Sequence, residues 1–302
     1  MESENASPKI LPIAFFVIAL SAITAGVPVL NYVVGLLAIA SYPVVVFASG
    51  RNMAVMVALI SVVAAALIGA PSAGFSLLLA VVLPGLIIGF AMRTGARAGR
   101  TIFWAFLPTF GILLLFILNY GVFKDSFSLM VDESIAQFAQ LPGNNLDPET
   151  MKEGITSYAE KVFSILPALI LLSGIFNVFV GYLISQKVLT AMRIEVPRVP
   201  NFNNWRPDYR LVGVFILGLF LTVFKLAGSD YVGWNILVFT GLIYFVAGLA
   251  VVESFFKASK IPLFFKILFY AGVFFAQLFS LVVLAGVGLF DSWFNFRSRS
   301  AE

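Results

Sequence analysis

The chain has 302 residues, of which 61% are hydrophobic and 11% charged, and its mean hydropathy is +1.01. A soluble domain of this size could not bury so much apolar surface, so lipid is the expected solvent, and the spans should be helices because every backbone group in lipid needs an internal partner. A net charge of only +4 argues against nucleic-acid binding, and the absence of cysteine and histidine excludes disulfides, thiolate chemistry and the commonest metal ligands.

Five apolar blocks follow a polar N-terminal tail, residues 1–9, which is slightly acidic and therefore unlike the basic start of a secretory signal. A membrane helix needs roughly 20 apolar residues. Spans are predicted at 10–25, 29–49, 53–70, 75–92 and 101–123. A charged break from Gly50 to Asn52 and a turn from Pro71 to Gly74 are expected to separate three of them.

The longest polar stretch, residues 124–161, holds seven acidic residues against three lysines. Its two halves are predicted to be short amphipathic helices separated by a turn from Leu141 to Asn145. Asp147 followed by Pro148 indicates a helix start, because aspartate caps free backbone N–H groups and proline fits the first helical position.

The second half of the chain contains four more apolar blocks. They are predicted at 162–186, 211–228, 234–256 and 262–290. A basic loop, residues 187–210, and a basic break, 257–260, lie between them, and a polar tail, 291–302, follows. The last block is too long for one upright span.

Lysine and arginine mark the cytoplasmic side of a membrane protein. The loops at Arg51, 93–100, 187–210 and 257–260 and the N-terminus are therefore predicted inside, and the acidic loop 124–161 outside. A ninth crossing would bring the tail outside, whereas Arg297 and Arg299 favour the inside, so eight and nine spans both stay open. The predicted fold is an all-α integral bundle of eight or nine transmembrane helices in the bacterial inner membrane, with a small helical extracytoplasmic loop.

Four local patterns run along most of the chain. They are Tyr42-Pro43 through Arg51, Pro84-Gly85 through Gly89, Asn177 through Pro207 with its Pro-Asn-Phe-Asn-Asn-Trp-Arg-Pro loop, and Gly288 through Arg297 with its Asp-Ser-Trp-Phe-Asn-Phe-Arg end. Together they resemble the YybS-like family of bacterial membrane proteins, a domain of unknown function.

A Pro-containing second span, a small-residue turn from Gly69 to Gly74 and a Gly-rich fourth span also resemble the S components of energy-coupling-factor vitamin transporters. The resemblance implies a substrate-binding core at 10–186, including the loop 124–161, that an energising partner serves from inside. The spaced alanine docking motif of S components has only Ser21-xxx-Ala25 and Ala22-xxx-Gly26 as equivalents, and the spans at 211–290 are additional.

Three polar side chains near the outer face are candidate substrate ligands. Lys225 faces a cavity in this interpretation, because buried charges in membranes tend to be functional; alternatively it reaches the headgroups or pairs with Asp230. Asn119 and Asn235 lie where a substrate would enter, although interhelical hydrogen bonding also explains an amide in a span.

Three further polar groups have structural interpretations. Glu253 is either a proton-coupled carboxylate or the partner of Lys257 in an i, i+4 ion pair, and the pair is preferred. Asn177 and Gln277 are amides that hydrogen bonding between helices accounts for.

Trp205 stands between Arg198 and Arg206 just before a span. Two interpretations carry equal weight. One is an anchor in the headgroup region. The other is a docking loop for a cytoplasmic partner, because aromatic residues and arginine dominate interface hot spots.

Several glycines and prolines are expected to shape the spans. Close helix packing is predicted at Gly85, Gly89, Gly174, Gly181, Gly213, Gly218, Gly241 and Gly248, and kinks at Pro84, Pro108 and Pro167.

The residue content predicts a protein that is not an enzyme and has no cofactor or metal. No Walker-type phosphate loop and no mid-span aspartate pair is present in the sequence. One hypothesis is a small-molecule binding or transport component with an outward cavity and an energising protein partner. The alternative is a structural membrane scaffold for envelope or cell-shape machinery, which the scarcity of mid-membrane charge favours over an ion-coupled pump.

Overall fold

The computed structural model describes residues 10–26, 31–69, 71–139, 147–225 and 229–297. The α-helices in these ranges are α1 (Ile10–Gly26), α2 (Asn31–Gly69), α3 (Pro71–Leu77), α4 (Leu83–Arg93), α5 (Ala98–Phe106), α6 (Pro108–Leu118), α7 (Tyr120–Ala139), α8 (Pro148–Ala191), α9 (Arg210–Phe224), α10 (Asp230–Ala258) and α11 (Leu263–Phe294). A π-helical turn, Leu78–Val82, joins α3 to α4, and a 3₁₀ turn, Phe202–Asn204, precedes α9. The predicted tail 1–9 and the turn 141–145 lie outside the described residues.

Six apolar helical segments in the described part of the chain are long enough to cross a membrane. They are Val33–Gly69, Pro71–Arg93, Ala98–Leu118, Pro148–Ala191, Asp230–Ala258 and Leu263–Phe294, and two shorter apolar helices are Leu11–Thr24 and Arg210–Phe224. The prediction of an all-helical, multi-pass membrane protein is confirmed.

Helix α2 breaks at Gly50, as the charged sequence there predicts. Gly50 has φ 79° and ψ −179°, a conformation that glycine adopts without a Cβ clash. The Tyr42 hydroxyl, before the break, lies 3.1 Å from Ser21 Oγ on α1. Buried residues from α1 and from both halves of α2, among them Tyr42 and Val57, belong to one hydrophobic core, so the two halves pack together with α1.

Other boundaries differ from the predictions. The residues from Pro71 to Gly74 begin helix α3 rather than forming a turn, because proline fits the first helical position. The predicted fifth span is interrupted at Leu107, before Pro108, and ends at Leu118. The second half of the acidic loop is no separate short helix, since α8 runs unbroken for 44 residues through Pro167.

Asp147 caps α8 as predicted. Its Oδ2 atom accepts hydrogen bonds from the Thr150 N–H at 3.1 Å and the Thr150 hydroxyl at 2.7 Å. These two donors lower the pKa of the Asp147 carboxyl from its usual range.

The chain divides into two compact units, Met1–Phe127 with Ile170–Val199, and Ser128–Leu169 with Pro200–Glu302. The first unit has a buried core drawn from α1 to α5, the π-helical turn and the second half of α8, and it includes Tyr42 and Tyr182. The domain boundaries predicted at residues 186 and 210 rest on the charge of the loop between them, and they stay a prediction.

Glycine contacts support close packing inside each unit. A Cβ on Gly181 would overlap Ile39 in the first unit, and one on Gly248 would overlap the Leu284 main chain in the second. Gly213 and Gly241 have open space around the Cβ position, so predicted close packing is wrong there.

Candidate functional site

Helix α11 is broken at a polar residue in an apolar setting. Gln277 has φ 40° and ψ −112°, which is strained for a residue with a side chain. The Ser280 hydroxyl lies 2.7 Å from each of the Val273 and Gln277 carbonyl oxygens at the break, and its single proton is donated to one of these two acceptors at a time. The Gln277 amide itself is exposed on the surface of its unit.

A cavity of about 500 Å³ lies beside this break, between α10 and α11. Its lining residues are Phe245, Tyr270, Val273, Phe274, Gln277, Leu278, Ser280 and Leu281. The volume suits a small molecule, and the lining is apolar with a few polar groups, as in most ligand sites. Phe245 lies near the middle of the 29-residue helix α10.

A polar cluster adjoins one wall of the cavity. Lys266 Nζ lies 2.9 Å from Glu253 Oε1, and the Tyr270 hydroxyl donates to Glu253 Oε2 at 3.0 Å. The expected pairing of Glu253 with Lys257 is therefore wrong. Glu253 instead ties α10 to the first part of α11, because a partner on a packed helix is held more rigidly than one on an exposed turn.

A second polar cluster connects the loop before α9 with the end of α11. Asp291 is 3% exposed and lies 3.2 Å from Arg297 Nε and 3.7 Å from Arg206 Nε. Arg297 also donates to the main-chain carbonyls of Asn203 and Trp205, each at 2.8 Å. Burial lowers the pKa of the Arg297 guanidinium and Asp291 opposes that shift, so the side chain stays charged.

The predicted ligand Asn235 is engaged with the main chain of α8. Its Oδ1 accepts from the Ala168 N–H at 2.9 Å, and its Nδ2 donates to the Ser164 carbonyl at 2.6 Å and to the Tyr231 carbonyl at 2.9 Å. A regular helix would join the Ala168 and Ser164 groups to each other. Asn235 therefore completes the backbone hydrogen bonds beside Pro167, and a ligand at this amide would have to displace them.

The other two predicted ligands lie at exposed helix ends. Asn119 caps α6, and its Nδ2 donates to the Leu115 carbonyl at 2.9 Å. Lys225 ends α9 with φ 47°, and no ion pair joins it to Asp230 in the described part of the chain. Asn119 belongs to the first unit and Lys225 and Asn235 to the second, and the substrate role of all three stays a prediction.

The three predicted docking residues make different contacts. Trp205 is half-buried, with its carbonyl bound to Arg297, and Arg206 pairs with Asp291 and donates to the Asn295 amide oxygen. Arg198 is exposed and lines a different cavity, in the first unit.

Sequence patterns alone did not identify Gln277, Asp291 and Arg297 as members of polar sites. Gln277 was an amide in a span, but no glycine or proline flanks it to indicate a break. Asp291 and Arg297 belong to the pattern from Gly288 to Arg297, but the sequence did not indicate their partners. Those partners include residues 203–206, which are far away along the chain. No group of acidic side chains within the described ranges is arranged to hold a metal ion.

Comparison with known proteins identifies a family and nothing more specific. No curated protein matches the chain, and no solved structure matches it. One family model, described as a predicted membrane protein, matches residues 13–292, nearly the whole sequence. The chain therefore belongs to the predicted membrane protein family DUF2232.

Proposed function

We propose that this protein is a bacterial inner-membrane component that binds a small, partly apolar molecule in the cavity beside Gln277 and works with a protein partner. The observation that carries the proposal is the break in α11 next to a cavity of about 500 Å³. Broken helices near the middle of a membrane commonly line substrate sites in transporters, because they free polar backbone groups there.

The chemistry of the cavity supports an amphipathic ligand. The rings of Phe245 and Phe274 would contact an apolar body, and the Gln277 amide and Tyr270 hydroxyl would bind a polar group. An amide exposed to hydrocarbon without a partner is costly, so a ligand that hydrogen bonds Gln277 would bind favourably. A cavity among the first six spans stays a prediction, and so do the substrate roles of Lys225, Asn119 and Asn235.

The proposed topology follows the charge distribution. Basic loops lie inside, the helical loop 124–161 lies outside, and eight or nine helices cross. The break at Gly50 supports counting α2 as two spans. The absence of histidine and cysteine supports a function without catalysis, and the loop 187–210 is the proposed contact for a partner.

Native mass spectrometry on protein extracted gently from its own membrane tests the proposal. We expect a small molecule at stoichiometric level on the native chain. Val273→Phe should remove it by filling the cavity, and Val282→Phe, which adds the same bulk at an exposed position of α11, should retain it. Equal retention by the two variants, or no small molecule on the native chain, would overturn the cavity assignment.

A structural scaffold is the second candidate function. The cluster of Asp291 with Arg206 and Arg297 favours it, because these ion pairs fix the loop beside Trp205 in one conformation that a partner could recognise. A protein partner that co-purifies without a small molecule, and is lost in Trp205→Ala, would favour the scaffold over the binding component.

A further inference from the structure

The last turn of α8 ends with an arginine where glycine is usual. Arg193 has φ 62°; its N–H donates to the Thr190 carbonyl at 3.0 Å, and the Ile194 N–H donates to the Leu189 carbonyl at 2.9 Å. This pair of bonds is a Schellman motif, whose left-handed position favours glycine. Gly95 occupies the same position after α4. Arg193 therefore occupies this left-handed position at a conformational cost that glycine would avoid.

The segment after Arg193 is fixed to the first unit. The buried Tyr182 donates its hydroxyl proton to the Pro197 carbonyl at 2.7 Å, and the Val199 N–H donates to Gln186 Oε1 at 3.1 Å. Ile194, Val196 and Val199 pack on the core of the unit. Glu195 and Arg198, between these packed residues, are exposed.

These residues form a cavity of about 520 Å³. Its lining residues are Thr190, Arg193, Ile194, Glu195, Val196 and Arg198. The lining includes two guanidinium groups and one carboxylate, which leaves a net positive charge. Guanidinium groups bind phosphate through paired N–H donors, and Glu195 can accept hydrogen bonds from hydroxyl groups.

We propose that this cavity binds the headgroup of an anionic phospholipid, with the phosphate on Arg193 and Arg198 and a headgroup hydroxyl on Glu195. Phosphatidylglycerol has this chemistry. The cavity follows directly on the apolar part of α8, where a span ends and headgroups begin, and Ile194 and Val196 provide an apolar wall. The proposal is independent of the cavity beside Gln277, which lies in the other unit.

Lipid titration followed by native mass spectrometry tests the site on the full chain. Phosphatidylglycerol, phosphatidylethanolamine and phosphatidylcholine with the same acyl chains are added to delipidated protein. We expect phosphatidylglycerol to be retained most strongly. The double variant Arg193→Gly, Arg198→Gln should weaken it about fivefold for each arginine removed, and excess inorganic phosphate should not displace it.

The matched control for the single variant Arg193→Gly is Lys260→Gly. Lys260, with φ 50°, occupies the same motif after α10, where its N–H donates to the Lys257 carbonyl at 3.3 Å. Both glycine substitutions remove one positive charge and relieve the same strain, so neither should lower the melting temperature. Loss of lipid in the arginine variant alone supports the site. Equal loss in Lys260→Gly, equal retention of the three lipids, or displacement by inorganic phosphate would overturn it.

Discussion

We infer that the amide of Asn235 replaces a helix hydrogen bond of α8 beside Pro167, because it bonds both the Ala168 N–H and the Ser164 carbonyl. Asn235→Leu would leave the Ala168 N–H and the Ser164 carbonyl without partners at a half-buried position. An unsatisfied buried polar group costs about 1–3 kcal/mol. We expect a destabilisation of that order in thermal unfolding of detergent-solubilised protein.

Two comparisons separate this role from a general loss of polarity. Asn119→Leu removes an exposed amide that bonds only within its own turn, so its effect should be small. In a Pro167→Ala background, α8 can form its own hydrogen bonds, so Asn235→Leu should lower the free energy of unfolding by less. An equal cost in both backgrounds would contradict the proposed replacement.

The buried carboxylate of Asp291 balances two guanidinium groups. Asp291→Asn keeps the shape but leaves Arg297, whose side chain is 6% exposed, without its counterion. Breaking a buried ion pair in this way costs about 3 kcal/mol or more. Unfolding in mixed micelles should show this loss, whereas Asp132→Asn, at a half-exposed pair with Lys152, should change stability little. Similar losses at the two positions would argue against the role of burial.

At the level of helices, the sequence predicted helix ends and breaks only where the local amino-acid composition changes. Gly50 combines a flexible backbone with flanking charge, and Asp147-Pro148 combines a cap with a preformed φ, so both were accessible from sequence. Gln277 sits between Ala276 and Leu278 in an apolar run, and its conformation depends on the Ser280 hydroxyl and on packing against α10. Such a break depends on tertiary contacts that local composition does not encode.

The contact between α10 and α11 depends on two glycines. A Cβ on Gly248 would overlap the Leu284 carbonyl, and a Cβ on Gly288 would overlap the Tyr244 carbonyl. Gly248→Ala should therefore separate the helices and cost about 1–3 kcal/mol. Gly241→Ala, on the same helix with nothing within 4 Å of the Cβ position, should be neutral or slightly stabilising in the same unfolding measurement.

The first turn of α8 should respond to acid. The Thr150 hydroxyl and N–H lower the pKa of Asp147, so the ionised carboxylate stabilises the folded first turn. Its contribution is present at neutral pH and is lost as pH falls through the lowered pKa of the folded state. Hydrogen exchange at the Thr150 and Met151 amides should speed up over that range, and Thr150→Val should move the onset to higher pH. An unchanged onset would contradict the role of the hydroxyl.

Across the whole molecule, the contact between the tail and a loop bears on the crossing number. Charge alone left eight and nine spans open, because Arg297 and Arg299 conflicted with a ninth crossing. Arg297 donates to the carbonyls of Asn203 and Trp205, so the end of α11 lies beside the loop before α9. If that loop is cytoplasmic, as its basic residues predict, the residue after α11 is cytoplasmic too, which favours eight spans.

Because the chain has no cysteine, single cysteines report sidedness without background labelling. Cells carrying Gln137→Cys, Thr94→Cys, Ser259→Cys or Phe296→Cys are treated with a membrane-impermeant maleimide. We expect labelling of intact cells only at position 137, on α7, and labelling of all four after permeabilisation, since each position is exposed. Labelling of Phe296→Cys from outside would favour nine spans, and it would mean that the loop holding Trp205 is external as well, since Arg297 binds that loop.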